Sequence, residues 1–62
     1  MVDWLRQARR LRERAQELRL VAERARSPED QQNFMKLAND YDRMAEQAVV
    51  LARRLPGWHA GG

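Results

Sequence analysis

The sequence predicts an all-α fold: an antiparallel two-helix hairpin that dimerises into a four-helix bundle. Three observations predict it. Two segments carry apolar residues at unbroken spacings of four and three, the heptad period of paired helices. One tetrapeptide, Ser27-Pro28-Glu29-Asp30, both ends the first segment and starts the second. The chain has 62 residues, no Cys and one His, so neither a disulfide nor a single-chain zinc site stabilises so small a core. Association is the remaining device.

The first helix is expected from about residue 4 to about residue 26. Asp3 is its N-cap, because a carboxylate accepts from the orphan backbone N–H groups and suits the positive helix end. Its seam is Trp4, Ala8, Leu11, Ala15, Leu18, Ala22 and Ala25. With Ala8, Ala15 and Ala22 at heptad position a, the larger Trp4, Leu11 and Leu18 fall at d, followed by Ala25. Most other positions are charged or Gln.

The turn is expected at Ser27, an N-cap for the second helix. Pro28 suits the first helical position, where its missing N–H goes unused. Glu29 and Asp30 place negative charge in the first turn, and Asp30 stands where a capping-box acid reaches back. The residue before a proline is pushed out of helical geometry, which closes the first helix.

The second helix is expected from about residue 28 to about residue 55. Its seam is Phe34, Ala38, Tyr41, Ala45, Ala48, Ala52 and Leu55, with Ala38, Ala45 and Ala52 at a. A second stripe, Leu37, Met44 and Leu51, runs beside it at g, and Met35 and Val49 lie at e. Pro56-Gly57 stops the helix, and Arg53 and Arg54 face its negative end. Residues 1–57 then form the hairpin, and residues 58–62, with Trp58 and His59, a flexible tail.

A short connection sets the helices antiparallel, with Ala8 near Ala45 and Ala15 near Ala38. The a/d/g face of the second helix is wider than one partner helix covers. Residues 49–55 also overhang the start of the first helix. Phe34, Leu37, Tyr41, Met44, Ala48, Leu51 and Leu55 are therefore the expected interface with a second copy. The alternation of small and large layers resembles that of the Rop-type helical hairpin, which dimerises into a four-helix bundle.

The stretch from about Arg9 to Ala48 resembles a family of short helical-hairpin proteins of unknown function from rhizobia and related alphaproteobacteria. The residues that carry the likeness are Glu17-Leu18-Arg19, Val21-Ala22-Glu23, Ser27-Pro28-Glu29, Phe34-Met35, Leu37-Ala38, Tyr41 and Met44-Ala45-Glu46. First helices in that family often carry a His and a Cys, which this one lacks. The resemblance implies a hairpin and no known activity.

Charge is unevenly divided. Residues 1–26 hold eight Arg against Asp3, Glu13, Glu17 and Glu23, whereas residues 27–62 hold Lys36, Arg43, Arg53 and Arg54 against five acids. Arg6, Arg9, Arg10, Arg12 and Arg14 are the densest cluster and the candidate anion or nucleic-acid contacts. They occupy heptad positions b, c, e, f and g, which wrap the helix, and Glu13 and Glu17 stand within ion-pair spacing of them. A solvated helix face is the simpler reading. His59 has no neighbouring ligand, Ser27 serves as a cap and no Glu-x-x-His bundle motif occurs, so no enzyme, cofactor or metal site is expected. The longest apolar run, residues 48–52, is too short for a membrane span, and a cytoplasmic protein is expected.

These readings leave two main functional classes, beside a third, an amphipathic module at an anionic membrane surface. The first is a non-enzymatic structural or protein-interaction module, working as a homodimer with a protein partner of unknown identity. The second is a small RNA- or DNA-binding regulator using the Arg-rich first helix.

Overall fold

The computed structural model describes residues 3–54, and two helices account for nearly all of them: α1 (Trp4–Arg24) and α2 (Pro28–Arg54). At 1.5 Å per residue their 21 and 27 residues run about 32 and 40 Å. They pack side by side along their length as an antiparallel hairpin, and no strand occurs among the described residues. Leu55, the Pro56-Gly57 stop, Trp58, His59 and the tail lie outside the described residues.

Both helix starts are built as the local sequence dictates. The Asp3 side chain accepts from the Arg6 backbone N–H at 3.2 Å. Asp3 itself is extended, and its carbonyl accepts the first helical bond from Gln7 at 3.0 Å. At the second start the Asp30 N–H donates to Ser27 Oγ at 3.1 Å, and Gln31 N–H to the Ser27 carbonyl at 3.0 Å. The expected reach of Asp30 back to the Ser27 N–H is not among the hydrogen bonds of the described residues. Glu29 and Asp30 instead supply negative charge to the first turn.

The first helix ends at Arg24, two residues short of the expected end. Ala25 is extended, with φ −63° and ψ 138°, and its N–H closes a tight turn onto the Ala22 carbonyl at 3.1 Å. The physical reason is the space a reversal needs. Pro28 excludes helical geometry at Ser27, so the chain turns over residues 25–27 and Ala25 leaves the helix.

Among the described residues seven apolar residues are buried, and all seven are alanine: Ala8, Ala15, Ala22, Ala38, Ala45, Ala48 and Ala52. Ala8, Ala45 and Ala48 form one cluster against which Trp4, Leu11 and Val49 pack. The pairing of Ala8 with Ala45 carries one heptad on to Ala15 and Ala38, both fully buried. Methyl groups let two backbones approach closely, but each buried methyl contributes only about 0.8 kcal/mol.

Two expectations about the far end of α2 need correction. The overhang is shorter than expected, because Val49 packs on the Ala8–Ala45–Ala48 cluster and Ala52 is buried. Trp4 is large enough to extend the cover offered by α1 along α2. Ala48, expected at the interface with a second copy, is 4% exposed and belongs to the hairpin's own core. Its small side chain faces Ala8 across the seam.

Candidate interaction surface

The two flanks of the alanine seam differ, and the helical period explains how. Position d lies about 60° from a on the side of g, whereas e lies about 40° from a on the other side. With alanine at a, the hairpin closes along a, and the larger d residues lean toward g. Trp4, Leu11, Leu18, Phe34 and Tyr41 are accordingly half-buried rather than enclosed. Among the described residues no side chain larger than alanine is buried.

The e flank is partly closed by charge. The Arg19 guanidinium donates to Asp42 Oδ2, joining α1 to α2. Arg12 stands exposed on the same flank. Leu5 and Met35 are exposed there too, but charged groups separate them. The g flank carries no such inter-helix bridge among the described residues. Leu37, Met44 and Leu51 stand there in one row, 44%, 44% and 38% exposed, with Val21 on the facing helix.

Beside this row lies a shallow groove of about 310 Å³. Trp4 and Leu11 of α1 and Met44 and Leu51 of α2 line it, with Gln7 and Gln47 at the rim and Ala48 contributing its small exposed remainder. Of the expected interface residues, Leu37, Met44 and Leu51 are exposed on this flank, and Phe34 and Tyr41 border it half-buried. Ala48 belongs to the core, and Leu55 lies outside the described residues.

Arg6, Arg9, Arg10, Arg12 and Arg14 are all exposed. They spread over an arc of about 200° of the helix surface, so no single stripe of positive charge forms. Glu13 and Glu17 fall within that arc, and Arg14 pairs with Glu17 at 3.7 Å. Both partners are about two-thirds exposed, so the pair adds little to stability. Glu13, expected beside Arg9 and Arg10, is in neither ion pair of the described residues. Arg10, Arg14, Glu13 and Glu17 instead surround an open depression next to Leu11 and Tyr41.

The chain matches no protein-family model, no curated protein and no solved structure. Its surface chemistry therefore rests on its own residues. Among those described, no group of three His, Cys, Asp or Glu side chains is placed to hold a metal ion. No described helix is long and apolar enough to cross a membrane. What the described surface offers is a row of three exposed apolar residues on one flank, while Leu5, Leu20, Met35 and Val50 are exposed elsewhere on the hairpin.

The Arg19–Asp42 bridge is the feature that sequence reasoning missed. Both residues occupy e, which faces e across an antiparallel pair. Opposite charges at those two positions were a readable signal once the orientation was set.

Proposed function

We propose that this chain is a non-enzymatic structural or protein-interaction module that works as a homodimeric four-helix bundle. One observation carries the reading: among the described residues only alanines are fully buried in the hairpin, while Leu37, Met44 and Leu51 stand exposed in a single row on one flank. A core of methyl groups stabilises a small chain weakly. Covering the still-exposed share of each large residue in the row adds roughly 1 kcal/mol. A second copy brings an identical flank, and two-fold dimers are the commonest oligomers.

A cytoplasmic location and kinship with the short alphaproteobacterial hairpin proteins belong to the same proposal. The Ser27-Pro28-Glu29 turn supports the kinship, and the Cys-free composition is compatible with a reducing compartment. The nucleic-acid reading gains nothing from the placement of the arginines, which Glu13 and Glu17 interrupt.

Sedimentation equilibrium tests the proposal. The expected mass is that of two chains. Leu37→Glu or Met44→Glu is expected to give single chains or unfolding, since each places a carboxylate in the closed interface. A wild-type mass of one chain, with full helicity in dilute solution, would refute the dimer. A dimer indifferent to both substitutions would refute this flank as its interface.

A further inference from the structure

We draw no further inference here: the strongest candidate, the exposed row of Leu37, Met44 and Leu51 on one flank of α2 with the shallow groove beside it, carries nothing beyond the proposal above, because nothing in the structure shows what covers it.

Discussion

Ser27 shows how much a single side chain decides. Its hydroxyl accepts from the Asp30 N–H at the point where the chain must reverse and restart as a helix. Ser27→Ala removes that acceptor and is expected to lower stability by about 1 kcal/mol, measured by urea unfolding followed by circular dichroism. The Arg19–Asp42 bridge is a different case. Its side chains are 38% and 37% exposed, so solvent screens them, and Asp42→Asn is expected to reduce stability by less than about 1 kcal/mol. Because the bridge lies on the e flank, the same variant is expected to keep the two-chain mass in sedimentation. Loss of the dimer in Asp42→Asn would move the interface to the other side of the hairpin. At this scale the caps were legible from Asp3 and from Ser27-Pro28, since capping depends on neighbours within a turn. The bridge was not, because it joins residues 23 apart in sequence.

At the scale of the helices, the alanine seam sets how closely they approach. Ala15, Ala38 and Ala45 are completely enclosed, which leaves no room for extra methylene groups. Ala45→Leu is expected to force the helices apart at the Ala8–Ala48 cluster and to cost about 1–3 kcal/mol, read from the unfolding midpoint in urea. Better stability in that variant would mean that the seam is loosely packed. The heptad period made both helices and the choice of alanine positions legible in advance. The ends were less so. Arg24 rather than residue 26 closes α1, because turn geometry takes two residues that periodicity alone assigns to the helix. Ala48 was misassigned for a related reason. The pattern places it on the seam, but a seam residue belongs to whichever neighbour lies nearer, and here that neighbour is Ala8.

For the whole molecule, the deciding feature is the difference between the two flanks. One carries an inter-helix ion pair, and the other carries Leu37, Met44 and Leu51 in the open. In a proposed dimer, folding and association are coupled, so the thermal midpoint is expected to rise with chain concentration. A midpoint unchanged over a hundred-fold range in a scanning measurement would separate folding from association. Much of the excess positive charge of residues 1–26 lies on Arg6, Arg9, Arg10, Arg12 and Arg14, which are exposed and spread around α1.

By itself the sequence determined two helices, their N-caps, the break at Ser27-Pro28 and the heptad positions of their apolar residues. All of these follow from interactions within a few residues along the chain. Only the tertiary structure decided which apolar residues the hairpin keeps for itself and which it leaves exposed. That division depends on how two helices share one seam: alanine at a draws them together, and the larger groups at d and g are then left on one flank.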